Sequence, residues 1–89
     1  MRYAVRYDKR ADKQLEKMDP GVRRLILAYI DSRLEGTENP RSLGKGLSDR
    51  LLGLWRYRVG GCRVIAEIRG AEITIYIVKI GHRLDVCAA

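Results

Sequence analysis

Leu54-Trp55-Arg56-Tyr57-Arg58-Val59-Gly60-Gly61-Cys62-Arg63-Val64-Ile65-Ala66-Glu67-Ile68 is the stretch that decides the fold of this chain. It reads as a β-hairpin: two runs rich in β-branched and aromatic residues, joined by the turn signal Gly60-Gly61. Strand side chains alternate between faces, so Arg56 and Arg58 share one face while Trp55, Tyr57 and Val59 share the other. Arg63 follows on the partner strand. Guanidinium groups carried by a rigid sheet suit a phosphate-rich ligand, because a planar fork binds phosphate bidentately at a fixed separation. The plainer alternative is a solvated basic face of the kind antiparallel sheets present to water.

Upstream of the hairpin, Tyr3 to Tyr7 alternate loosely and predict a short first strand. Asp8 can cap a helix with Ala11, Leu15 and Met18 on one stripe. Asp19-Pro20 starts a second helix, with Val22, Leu25, Ile26, Tyr29 and Ile30 on its apolar face and an end near Gly36. The two helices form an antiparallel hairpin. Gly36 to Gly53, with Lys45 and Arg50, reads as loop. Downstream, Ile73 to Ile80 is apolar on both faces (Ile73, Ile75 and Ile77 against Tyr76, Val78 and Ile80), which predicts a central strand covered on both sides. Short turns make the last three strands antiparallel neighbours. The expectation is one α+β domain over residues 1–89, ordered β-α-α-β-β-β, with the helical hairpin packed on a mostly antiparallel twisted sheet.

At 89 residues the core is modest, and stability is expected to depend on assembly or a partner. Eighteen basic residues against 11 acidic ones give a net charge of +7, which favours nucleic acid, an anionic membrane or an acidic protein as partner. No apolar run approaches membrane-span length and the start of the chain lacks a signal-peptide core, so the reading is cytoplasmic with no membrane role. Cys62 and Cys87, with His82 near the second, lack metal-ligand spacing. A reduced thiol pair is the default, a disulfide the alternative, and no metal or other cofactor is implied.

The element order, the motif Arg56-Tyr57-Arg58-Val59-Gly60-x-x-Arg63 and the segment Val78-Lys79-Ile80-Gly81-His82-Arg83 together resemble the RelE/ParE toxin superfamily, and most closely its RelE branch. The resemblance runs from Tyr3 to Cys87. It implies the toxin of a type II toxin–antitoxin system, which enters the ribosomal A site, cuts mRNA there and is silenced by a cognate antitoxin. Operator DNA would be met only through the toxin–antitoxin complex. Carried over by position, it implies a catalytic set of Arg56, Arg58, Arg63 and Arg83. The chain departs from relatives in carrying arginines where many have lysines on the first meander strand. It has Cys87 where many have a near-terminal tyrosine, and it stops at Ala89 without a further C-terminal helix.

Cleavage by attack of a ribose 2′-hydroxyl needs a base, positive charge on the phosphorane-like transition state, and an acid for the leaving 5′ oxygen. Arginine meets the second need and not the others, because guanidinium stays protonated. Arg63 and Arg83 are assigned to the scissile phosphate, Arg56 and Arg58 to charge neutralisation and RNA positioning. His82, Glu67 and Cys87 are the acid–base candidates; each has a plainer role, as a surface or packed histidine, a salt-bridge partner and an inert thiol. Trp55 and Tyr57 read as core, with RNA stacking as the alternative. Lys45, Arg50 and Lys79 read as diffuse RNA attraction, and Arg23, Arg24 and Arg33 as a solvated helix face or a ribosomal RNA contact. Two other functions use the same fold. One is a DNA gyrase inhibitor of the ParE branch with no nuclease activity. The other is a decayed toxin that only binds its antitoxin, with Cys87 as the motivating residue.

Overall fold

The computed structural model describes residues 1–46 and 54–82. The chain runs through β1 (Ala4–Tyr7), α1 (Lys9–Lys17), α2 (Pro20–Tyr29), a π-helical turn (Ile30–Leu34), β2 (Lys45–Gly46), β3 (Leu54–Val59), β4 (Cys62–Arg69), a 3-10 turn (Gly70–Glu72) and β5 (Thr74–His82). Both helix starts are set by the residues that signalled them. The Asp8 carboxylate accepts from the Arg10 amide at 3.3 Å, and Asp19 accepts from the amides of Gly21 (3.0 Å) and Val22 (3.3 Å), with Pro20 opening α2.

The sheet has five strands in the order β1-β5-β4-β3-β2. β1 lies parallel to β5 and the remaining pairings are antiparallel. The helical hairpin covers one face. Ala11, Leu15, Ile26, Ile30 and Leu34 pack against Tyr57, Val59, Cys62, Val64, Ala66, Ile75, Ile77 and Ile80 to form the core. Burying a side chain of the Ile or Leu class stabilises the fold by roughly 1.5–3 kcal/mol, so this layer supplies most of the driving force. The α+β architecture is the one expected. No helix of the described residues is long and apolar enough to cross a membrane.

Four details differ from the sequence reading. Lys45–Gly46, expected as loop, forms the edge strand β2 against Trp55 and Arg56. Leu25, expected in the apolar stripe of the second helix, is 55% exposed and lies beside the hairpin turn, where a methyl group on Gly60 would stand 3.5 Å from its Cδ2. Ile73, expected to open the last strand, instead caps the 3-10 turn with φ 51°, and β5 begins at Thr74. The fourth concerns the faces of β5. Ile65 pairs with Lys79 but Ala66 pairs with Ile77, so Val78 is an extra residue and β5 bulges there. The bulge returns Ile80 to the helix-facing side, where it is fully buried with Ile75 and Ile77 rather than opposite them. The other face of β5, with Tyr76, Val78 and Lys79, is half-buried rather than covered like the helix side, as had been expected of both faces.

A bulge disrupts the ladder, and α1 repairs it. The Ile80 amide donates to Gln14 Oε1 at 2.6 Å. Replacing Gln14 by leucine, of similar size, would orphan that partly buried amide at a cost of about 1–3 kcal/mol. The expected result is a lowered denaturation midpoint, with faster hydrogen exchange confined to the end of β5; an unchanged midpoint would show that the bulge holds itself. The β1 edge is closed by the segment after the helices. The Val5 amide donates to Glu35 Oε2 at 2.7 Å, Gly36 N–H to the Tyr3 carbonyl at 2.8 Å, and Tyr3 N–H to the Thr37 carbonyl at 2.8 Å.

Candidate functional site

On the face away from the helices, the ladder registers align side chains into two rows across the sheet. The first runs Lys45–Arg56–Ile65–Lys79 over β2, β3, β4 and β5, three strand spacings or about 14 Å. The second, two residues further along, runs Arg58–Arg63–Gly81. The hairpin turn sets this alignment: Gly60, at φ 60°, takes the left-handed place that a two-residue turn needs, and Val59 faces Cys62. Arg58 and Arg63 are therefore directly opposite, with Cβ atoms about 4.5–5.5 Å apart. Two arginines so placed bring like charges to one register position, to which an anion is drawn. Gly81 adds no side chain to the end of this row.

Gly44, Lys45, Arg56 and Arg58 line an open groove of about 270 Å³. Arg58 is exposed, and Arg56 and Arg63 are half-buried. Ile65 is 4% exposed although it lies outside the helix-side core, flanked in the register by Arg56 and Lys79.

The groove wall formed by residues 40–46 is held by the aromatic side of β3. Trp55 Nε1–H donates to the Leu43 carbonyl at 2.6 Å, and the buried Tyr57 hydroxyl donates to the Pro40 carbonyl at 2.6 Å. Arg41 lies over the Trp55 ring, 5.8 Å from its centroid. Burial pushes the Tyr57 hydroxyl well above its ordinary pKa, nearby Tyr29 adds to the rise and Arg41 opposes it, so the hydroxyl remains a donor. Gly44 lies against β3 at φ 73°, and a methyl group there would overlap the Arg56 carbonyl oxygen. Trp55 and Tyr57 thus work mainly as core and loop anchors, and their alternating partners Arg56 and Arg58 carry the charge.

The structure brings together Arg56, Arg58, Arg63, Lys45 and Lys79 from the expected set. Lys45 and Lys79, expected as diffuse attraction, occupy fixed places in the first row. Glu67 shares the β4 face with Arg63 but is taken by another partner: it accepts from Arg69 Nε, and the Arg69 guanidinium also reaches Glu72 at 4.0 Å and stacks on Tyr76, 4.4 Å from the ring centroid. Bonded this way it is a salt-bridge partner of Arg69. His82 closes β5 at the register position opposite Cys62. Cys62 is buried and is a free thiol. Arg50, Arg83 and Cys87 lie outside the described residues. Among the described residues, no group of three His, Cys, Asp or Glu side chains could hold a metal ion. Two contributors escaped the sequence reading. Gln14 carries no signal, being an ordinary polar helix residue. Gly44, with Gly46, flanks Lys45, and that Gly-Lys-Gly spacing is the trace of a backbone pressed against another strand.

The family model described as the ParE toxin of type II toxin–antitoxin systems matches residues 5–86. The chain belongs to this family, within the RelE/ParE superfamily. The toxin is 28% identical over 86 residues to Toxin RelG of Mycobacterium tuberculosis, covering 97% of each chain. Its fold is similar to that in the RelBE2 toxin–antitoxin complex of the same organism, with TM-score 0.84 at 26% identity over 93% of this chain and 100% of that one. It is also similar to the archaeal RelE–RelB complex of Pyrococcus horikoshii, with TM-score 0.67 at 26% identity over 93% and 97% of the two chains. A doubly substituted mutant of Escherichia coli RelE in the free state shares the fold at TM-score 0.74 and 20% identity, over 93% of this chain and 85% of that one.

Proposed function

We propose that the toxin is a ribosome-dependent endoribonuclease that cuts mRNA and so arrests translation. The observation that carries this reading is the pair of cationic rows, with Arg58 and Arg63 opposed across β3 and β4 and Lys45, Arg56 and Lys79 beside them. A scissile phosphate seated over Arg58 and Arg63 would meet positive charge from two strands at once. Its transition state, which gathers more negative charge on the equatorial oxygens, would gain more than its ground state does. Arg83 is proposed to close the same site from the chain after β5. Glu67, engaged by Arg69, is the weakest base candidate; His82, Cys87, a ribosomal group or water remain for proton transfer. A sparse site of this kind can work when the ribosome supplies the substrate's orientation.

The relatives in toxin–antitoxin complexes support a cognate antitoxin as the toxin's partner in the cytoplasm, with an acidic or amphipathic segment over the cationic rows. Operator DNA would be contacted through that complex.

The test is to express wild type and Arg58→Ala/Arg63→Ala in growing bacteria and map mRNA 5′ ends. The expected result is codon-phased cuts within translated messages that disappear in the variant. The family's ParE description favours one second reading, inhibition of DNA gyrase without nuclease activity. Growth arrest with intact messages and gyrase-dependent DNA breaks would establish that instead. No arrest until Cys87 is replaced by tyrosine would identify a toxin whose cleavage has decayed.

A further inference from the structure

A second groove, of about 490 Å³, runs along α1 and is lined by Asp8, Lys9, Arg10, Lys13, Gln14 and Lys17. Successive helix side chains turn by about 100°, so Lys9, Lys13, Lys17, Arg10 and Gln14 fill one continuous sector of roughly 140°. Asp12 and Glu16 fall on the flank away from Gln14. The lysine row is about 12 Å long. No carboxylate of a described residue lies within ion-pair distance of these four cations, since the ion pairs between described residues are those of Arg69. The acid within the groove, Asp8, is engaged in capping α1.

This surface is joined rigidly to the sheet. Gln14, at the groove's edge, holds the Ile80 amide, and Ile80 lies between Lys79 of the first cationic row and Gly81 of the second. The two basic surfaces thus lie on opposite sides of the sheet, linked through the end of β5. They differ in chemistry. The sheet presents arginine forks, suited to fixed bidentate contact with one phosphate. The α1 groove presents mostly lysines, which are hydrated point charges on flexible stems, and among the described residues no aromatic side chain lines it on which an unstacked base could lie. Single-strand binding surfaces rely on such stacking platforms, whereas duplex RNA is gripped through its backbone and shape.

We infer that the α1 groove is a second nucleic-acid contact, which grips the sugar–phosphate backbone of double-stranded RNA while the arginine rows take the single strand to be cut. The inference rests on the endoribonuclease reading for the second half of that division. It places the cut strand next to a duplex, held by one rigid body.

The experiment compares wild type, Lys13→Gln/Lys17→Gln and Lys13→Arg/Lys17→Arg. Two labelled probes are used, a fully paired RNA duplex of about 16 base pairs and oligouridine, titrated across a range of salt concentrations. The Gln variant should bind the duplex about tenfold more weakly near 0.1 M salt, and its log–log salt slope should fall by about two. Its affinity for oligouridine and its melting temperature should be unchanged, and the Arg variant should recover duplex binding. Undiminished duplex affinity in the Gln variant would overturn the inference, as would an equal loss on both probes. Weakened binding to the cognate antitoxin alone would also overturn it and make the groove a protein contact. Message cleavage in cells is read separately. A toxin that cuts messages but whose Gln variant keeps its duplex affinity refutes only the α1 site. A toxin that binds duplex through α1 and cuts nothing refutes only the endoribonuclease reading.

Discussion

Arg58→Ala is expected to slow cleavage of ribosome-bound mRNA about a hundredfold while the free toxin stays folded. The rate loss follows from removing one preformed donor from the charge that develops on the phosphate, an effect of about 3 kcal/mol. Arg58 is exposed on β3, directly opposite Arg63, and takes no part in the core, so Tm should stay near wild type. A rate loss without a Tm loss would mark Arg58 as a residue kept for function. Arg58→Lys separates charge from geometry: it keeps the positive charge but loses the bidentate fork, so cleavage should still drop. Full activity in Arg58→Ala would remove the site from the sheet.

Gly44→Ala is expected to destabilise the toxin by about 2 kcal/mol or more and to weaken RNA binding together with it. Two penalties coincide at Gly44. Its φ of 73° costs an L-residue about 1–2 kcal/mol. The added methyl would also overlap the Arg56 carbonyl oxygen, which is backbone and cannot move without disturbing β3. Relief would come from lifting residues 40–46 away, which breaks the Trp55–Leu43 hydrogen bond and takes Lys45 out of the first row. Trp55 is the chain's one tryptophan, so its emission should shift to the red as the indole loses its partner and meets water. Gly36→Ala is the control. Gly36 also has positive φ, 81°, but nothing lies within 4 Å of an added methyl, so it should lose only the backbone term and leave Trp55 emission unchanged. Equal effects of the two substitutions would show that conformational strain, and not the contact with β3, governs Gly44.

Most of the elements, and the side of the sheet on which the arginines lie, follow from short stretches of the chain read alone. Asp8, Asp19-Pro20 and Gly60-Gly61 act through bonds and dihedrals within a few residues of themselves, and the alternation of Arg56 and Arg58 with Trp55 and Tyr57 is a property of one strand. Such local rules need no partner to operate. Which side chains meet is a property of the folded chain. The bulge at Val78, which brings Ile80 back to the core and Lys79 into line with Arg56, depends on the ladder with β4 and on Gln14 from a helix 66 positions away in the chain. Lys45 entered the site because β3 offered an unpaired edge and two aromatic donors to the carbonyls of Pro40 and Leu43. Glu67 is drawn to Arg69 for a comparable reason, since Arg69 lies two residues along the same strand face. Pairing register and long-range hydrogen bonds are set by the competition among all strands and helices for the same donors and acceptors, a competition that no single segment encodes.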